Sequence, residues 1–333
     1  MSEPAYDFFR RELQERRRLL ETAQTEATDP QLTDLLREVD AALHRLHDGS
    51  FGVCEACQGT IEPERLVCNP LVRYCLDDLT DRGRRELQRD LDLAGQIQTT
   101  MLPEQSARFG PWETYFHFEP LGPVSGDYCD LISVDGSLYF LIGDASGKGV
   151  AASMLMSQLH ALFRALTQLR LRPAELLTRA NHVLSETNFS GRFATLICGL
   201  ATSDGRVEIA NAGHCPAVLM RNNAVELIGG TGVPLGMFCD AHYTSHEFQF
   251  NRGDGLLLYT DGLVEAADRN DCEYGTARLL ELAKSFIASD PREAVQACVS
   301  DVGSYRASAN DDLTVMAIRR AAEANIQHAT HVA

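Results

Sequence analysis

The sequence contains no apolar stretch long enough to span a bilayer. Its first residues mix acid and base where a secretion signal would run from basic to apolar to small. A cytoplasmic protein without a membrane partner is therefore expected. Positive charge is also scarce: 30 Lys and Arg stand against 47 Asp and Glu, a net charge of −17, and only Lys148 and Lys284 are lysines. Such a surface repels phosphate backbones, which argues against nucleic acid as a partner, and part of the acid can serve a cation instead. The rest is ordinary for a globular protein, with 44% hydrophobic and 23% charged residues in a chain of 333. That length accommodates two or three units.

Residues from about 5 to 48 read as two helices. Apolar side chains recur near a 3.6 period, as Phe8, Leu13, Leu19 and Leu20 and then as Leu32, Leu35, Leu36, Val39, Leu43 and Leu46. Thr28-Asp29-Pro30 between them is a turn and helix-start signal, so 1–50 is expected to form an antiparallel hairpin. A linker helix over 81–103, its run beginning near Leu79, carries Leu87, Leu91, Ala94, Gln98 and Met101 at alternating steps of four and three, and Pro103 stops it. It could dock on a domain or pair across a homodimer; Gly95 is its weak residue.

After Pro103 the chain changes to short β-type runs. Strands are predicted over Thr114–Glu119, Leu138–Gly143, Ala194–Leu200, Val207–Ala210, Ala217–Met220, His246–Phe250, Gly255–Tyr259 and Leu313–Ile318. Helices over about Val150–Leu169, Pro173–Asn188, Thr276–Ala288 and Pro291–Tyr305 fall in pairs among them. Strand runs with segregated helix pairs predict an α+β sandwich over 104–320, with a frayed tail over 321–333.

Within that sandwich, aspartates recur at strand ends beside glycine or a second acid: Ser125-Gly126-Asp127, Gly143-Asp144-Ala145, Thr260-Asp261-Gly262 and Asn310-Asp311-Asp312. One Asp-Gly is most simply a turn. Four such sites at the rims of apolar strands are another matter, because a partly desolvated carboxylate is costly unless paired or metal-bound. Hard divalent ions favour oxygen ligands, and two of them can activate water and clamp a phosphoryl group.

These stretches resemble a PPM-type phosphatase of the SpoIIE-like, RsbU-like branch over about residues 95 to 320. The similarity is carried by Ser125–Asp130, Ile142–Ser153, Phe193–Leu196, Asn211-Ala-Gly-His214, Gly232–Gly236, Leu258–Gly262 and Asp311–Thr314. The resemblance implies an α-β-β-α sandwich and a two-ion Mn²⁺ or Mg²⁺ centre. In it, Asp144 bridges with help from the Ala145 carbonyl, Asp127 serves one ion, and Asp261 and Asp311 serve the other. Asp130 and Asp312 are expected in supporting roles. Lys148 would either attract phosphate or be a solvated loop lysine, and His214 would either carry a proton or bond locally. The implied activity is hydrolysis of phosphoserine or phosphothreonine on a regulatory protein, an anti-sigma factor antagonist.

Ten cysteines remain. Cys129, Cys198, Cys215, Cys239, Cys272 and Cys298 are scattered, whereas Cys54, Cys57, Cys68 and Cys75 cluster with zinc-binding character. With the hairpin, 51–80 resembles a DksA/TraR-type zinc finger through Gly52–Cys57, Ile61–Leu66 and Arg73–Asp78. That family's last Cys-x2-Cys is Cys75-x2-Asp78 here, so either Cys68 or Asp78 is the fourth Zn²⁺ ligand, or the site is incomplete and the finger a vestige held by apolar packing of Phe51, Ile61, Leu66 and Leu71. The finger would regulate the catalytic domain. The alternative is an RNA-polymerase-associated or partner-binding regulator with a degenerate phosphatase domain.

Overall fold

The computed structural model describes residues 3–26, 30–76, 81–187, 192–287 and 289–321, and the chain divides into two compact units, 1–93 and 94–333. In the first, α1 (Glu3–Glu26) and α2 (Pro30–Asp48) meet along one stripe each. Phe9, Leu13, Val39, Ala42 and Leu46 are buried, recurring about once per turn. The hairpin is antiparallel: Arg17 pairs with Asp40 at 2.8 Å, while the Tyr6 hydroxyl donates to the Phe51 carbonyl at 3.3 Å. The expected stripe needs one correction. Phe8 and Leu19 are 42% and 57% exposed, because the face that includes Phe9, Leu13 and Leu20 is the one turned inward. The turn residues Thr28 and Asp29 lie outside the described residues; Pro30 opens α2. The short helix α3 (Pro63–Cys68) starts on proline, which suits a first helical turn.

Helix α4 (Asp81–Met101) leads into the second unit. There, eleven strands among the described residues form two antiparallel sheets. The six-stranded sheet contains β1 (Ser106–Phe109), β2 (Trp112–Glu119), β7 (Ala217–Arg221), β8 (Ala224–Ile228), β10 (Gly255–Tyr259) and β11 (Leu313–Arg320), in the order β1-β2-β11-β10-β7-β8. The other five, β3 (Asp127–Val134), β4 (Ser137–Ala145), β5 (Ala194–Ala201), β6 (Arg206–Ala212) and β9 (His246–Gln249), follow the order β3-β4-β5-β6-β9.

Period-two alternation builds four layers from these sheets. Trp112, Phe140, Ile142, Ile197, Leu256, Leu258 and Met316 fill the space between the sheets. On the outer face of the five-stranded sheet, Tyr128 and Leu141 pack on α5 (Val150–Thr167) and α6 (Pro173–Thr187). Leu257 and Tyr259 do the same for α8 (Gly275–Ser285) and α9 (Pro291–Tyr305) across the other sheet. Strand β10 is therefore buried on both faces, the reason it reads as an unbroken apolar run. The result is the predicted α-β-β-α sandwich. None of the described helices is long and apolar enough to cross a membrane.

Within the five-stranded sheet, the Phe140 ring lies over its cross-strand partner Gly199: a Cβ on that glycine would lie 1.9 Å from the Phe140 ring. Gly199→Val should thus lower stability by about 1–3 kcal/mol through overpacking. Gly303→Ala, on α9 with open space around the new methyl, should be neutral or mildly stabilising. Denaturant unfolding of both variants checks the contrast, and equal stability would count against this packing.

Candidate active site and thiol cluster

The site begins with a strand register. Asp127 opens β3, Asp144 lies next to the end of β4, and the ladder sets them directly opposite one another. Such neighbours have Cβ atoms about 4.5–5.5 Å apart, so two carboxylates there repel. From the other sheet, Asp261 follows β10 and starts the short helix α7 (Asp261–Val264), while Asp311 and Asp312 precede β11, which pairs with β10. Gly262 lets these ends close up: a Cβ there would lie 1.9 Å from the Asp312 carbonyl oxygen.

Asp127 is 1% exposed and is held from the opposite sheet. Its Oδ2 accepts from the Thr260 hydroxyl at 2.9 Å and the Thr314 hydroxyl at 2.5 Å. Burial pushes its carboxyl well above the usual range, the neighbouring Asp144 and Asp312 push further, and the two threonine bonds oppose them. The Asp144 carboxyl is pushed up to about 7, first by burial and then by Asp261, Asp311 and Asp312, with Lys148 acting against them. Burial and Asp311 raise Asp261 as well. Acids from both sheets thus converge on one region, although no three acidic groups among the described residues bring an oxygen each within 4.8 Å of one another. Lys148 is their local counter-ion, its Nζ 2.8 Å from Asp311 Oδ2 and 2.8 Å from the Asn310 carbonyl.

Two aspartates of the same motifs point elsewhere. Asp130 projects from the opposite face of β3, toward α5, as an odd spacing from Asp127 requires. It is fully buried and accepts two bonds from Arg164, at 2.8 and 2.7 Å. Asp312 receives backbone N–H groups on both oxygens, from Leu121 at 2.7 Å and Gly126 at 2.9 Å, and so ties the segment before β3 to the start of β11. His214 is buried with Nδ1 2.8 Å from the Thr195 hydroxyl, and burial lowers its pKa to about 4, leaving the ring neutral near pH 7. Ala145 is buried beside the pair, its N–H donating to Gly126 at 3.1 Å. Thr260 and Thr314 were not singled out from the sequence, although each stands within the Thr-Asp-Gly or Asp-Asp-Leu-Thr stretch that supplies an aspartate.

In the first unit, Cys54, Cys57 and Cys75 bring their sulfurs within 4.8 Å of one another, and Cys57 and Cys75 are 3.6 Å apart. A tight turn shapes this cluster: the Gln58 N–H donates to the Cys54 carbonyl at 3.0 Å, and the Gly59 N–H reaches Cys57 Sγ at 3.4 Å. Cys68 does not join the three. It follows the buried Leu66 by two residues on α3, which turns it to the exposed side. Asp78, the other expected fourth ligand, lies outside the described residues.

Comparison with known proteins agrees with this fold. A family model described as Stage II sporulation protein E (SpoIIE) matches residues 134–321, more than half of the chain. Protein IcfG of Synechocystis is 27% identical over 230 residues, covering 60% of this chain and 36% of its own length. Phosphoserine phosphatase RsbU of Bacillus subtilis is 24% identical over 246 residues, covering 72% of this chain and 73% of its own. The chain therefore spans about a third of one relative and nearly three quarters of the other. Among solved structures, the SiaA-PP2C domain of Pseudomonas aeruginosa superposes with a TM-score of 0.64 at 19% identity, over 71% of this chain and 97% of that one. By fold, by motif order and by the match over its sandwich, the chain belongs to the SpoIIE family.

Proposed function

We propose that the chain is a metal-dependent protein serine/threonine phosphatase whose Asp127, Asp144, Asp261 and Asp311, with the Ala145 carbonyl, hold two Mn²⁺ or Mg²⁺ ions. One observation carries this reading: Asp127 and Asp144 face each other across a ladder with Asp261 and Asp311 nearby, and each of the first three is pushed above the usual carboxylate range. That arrangement is unfavourable by itself, and divalent cations reverse its sign. The donors are hard oxygens, as Mg²⁺ and Mn²⁺ prefer. The spread of the carboxylates suits ions that keep several waters and take only one or two carboxylates each. When bound, such a pair supplies an activated water and charge to neutralise a phosphoryl group.

The chain's own residues prepare the place. Thr260 and Thr314 both donate to one oxygen of Asp127, Oδ2, and so fix its carboxylate. Lys148, exposed at the rim, is a mobile cation that can exchange Asp311 for a substrate phosphate. His214 remains neutral and supports Thr195, whose hydroxyl lies 3.5 Å from the Asp144 carbonyl. This makes it a positioning group rather than a proton carrier. A phosphorylated protein, with an anti-sigma factor antagonist as the expected substrate, is supported by the RsbU-like motifs and by the extent of the match to a phosphoserine phosphatase.

For the first unit, the proposal includes a zinc ion on Cys54, Cys57 and Cys75 with a further ligand. Thiolates around tetrahedral Zn²⁺ lie roughly 3.8 Å apart, given Zn–S distances of about 2.3 Å, and the Cys57–Cys75 spacing of 3.6 Å fits. Zinc would complete the small core of Phe51, Ile61 and Leu66 and make this unit a regulatory input, with α4 as the expected dimer seam.

Asp144→Asn should abolish phosphate release from a phosphoserine peptide in Mn²⁺ while leaving the chain folded; retained turnover would refute the mechanism. Thr314→Val should reduce activity and Mn²⁺ affinity by about 10–100-fold, as loss of a group supporting a ligand does. Purified chain should contain zinc, and Cys57→Ser should lose it together with much of the thermal stability of the first unit. Elemental analysis and calorimetry decide that point, and zinc retained in the variant would count against the thiol site.

A further inference from the structure

One buried polar side chain in the sandwich unit has no place in the chemistry so far. Gln98, near the end of α4, is 4% exposed. Its Nε2 donates to the Ser125 carbonyl at 2.7 Å and its Oε1 accepts the Ser125 N–H at 2.9 Å, so the side-chain amide pairs with a peptide as a neighbouring strand would. Ser125 itself is fully buried and stands two residues before Asp127. Three residues before Gln98, Gly95 allows the helix to approach this segment: a Cβ there would lie 2.1 Å from the Pro123 carbonyl oxygen.

The backbone around Asp127 leaves little slack. The Gly126 N–H goes to Asp312, the Gly126 carbonyl accepts from Ala145, and the Asp127 N–H goes to the Ser125 hydroxyl. The N–H and carbonyl of Ser125 are both satisfied by Gln98. Buried backbone groups must be paired. Without that amide, Ser125 has to move toward water, and it carries the hydroxyl that binds the Asp127 N–H.

We propose that Gln98 is a positioning residue for the metal site: its side-chain amide fixes Ser125 and thereby the direction in which Asp127 leaves the start of β3. This rests on the metal reading above. Groups that orient a ligand typically contribute 10–100-fold to metal affinity. The α4 glycine, a weak helix former, then has a reason in the closeness of approach.

The test uses the full chain and two variants, Gln98→Met, which keeps the volume and removes both bonds, and Gly95→Ala, which improves helix propensity but meets the Pro123 carbonyl. Mn²⁺ binding is measured by calorimetry and amide hydrogen exchange by mass spectrometry, at temperatures where each variant is folded by circular dichroism. Both variants should bind Mn²⁺ at least about tenfold more weakly than the native chain and exchange faster over residues 121–127. A Gln98→Met affinity within twofold of native, or unchanged exchange over that segment, overturns the proposal. A role limited to stability would lower the melting temperature and leave the affinity of the folded protein alone. If Gln98→Met does not fold, Gly95→Ala carries the same two readouts. A native chain that takes up no Mn²⁺ would instead overturn the metal reading, and exchange alone would then decide whether Gln98 holds the segment.

Discussion

Mutual repulsion between Asp127 and Asp144 is the constraint around which the sandwich unit is arranged. The ladder between β3 and β4 sets the two acids opposite each other, and nothing in a strand pair by itself would keep them there. The surrounding structure over-determines the position. Threonines from the facing sheet grip Asp127, Asp312 and Gln98 tie down the segment before it, and the pair of helices behind the five-stranded sheet fixes β3 from outside. Local unfavourable electrostatics concentrated at one rim, with compensation spread through the packing, is the pattern expected of a functional site.

Much of the sandwich could be read from the chain because its central strands are covered on both faces or alternate cleanly. Gly255–Tyr259 is an apolar run, and its boundaries match the expectation. The strands that went unread fail this test for different reasons. β1 and β8 are edge strands with exposed positions and no regular apolar alternation. β3 is buried over six residues but begins with an aspartate and includes another, so its composition resembles a loop motif rather than a core strand. Its acids are tolerated only because Asp127 meets threonines and Asp130 meets Arg164.

Within the site, Asp144 and Asp261 stand out in the sequence as acids at the ends of apolar strands, and Asp127 and Asp311 as acids beside glycine or a second acid. Their supports do not. A threonine beside an aspartate carries no mark of which carboxylate it will bind, and Thr260 and Thr314 bond not to their neighbours but to Asp127, more than a hundred residues away. Gln98 interrupts an apolar seam and Gly95 weakens a helix, and only the Ser125 and Pro123 backbone packed against them gives both a reason. Asp130 and Asp312 show the converse. Expected in supporting roles, they are turned by side-chain direction, one to the partly exposed Arg164 and the other to backbone amides.

The order of strands has a consequence for synthesis. Strand β11 comes last of the eleven described strands, yet it lies between β2 and β10 in the middle of the six-stranded sheet, and Asp311 stands two residues before it. A nascent chain still on the ribosome can therefore stack helices and pair β3 with β4 while the other sheet remains split. Until the final strand slots into that gap, Asp311 cannot be brought beside the acids of the other sheet, so that rim is completed only once the last strand has been made.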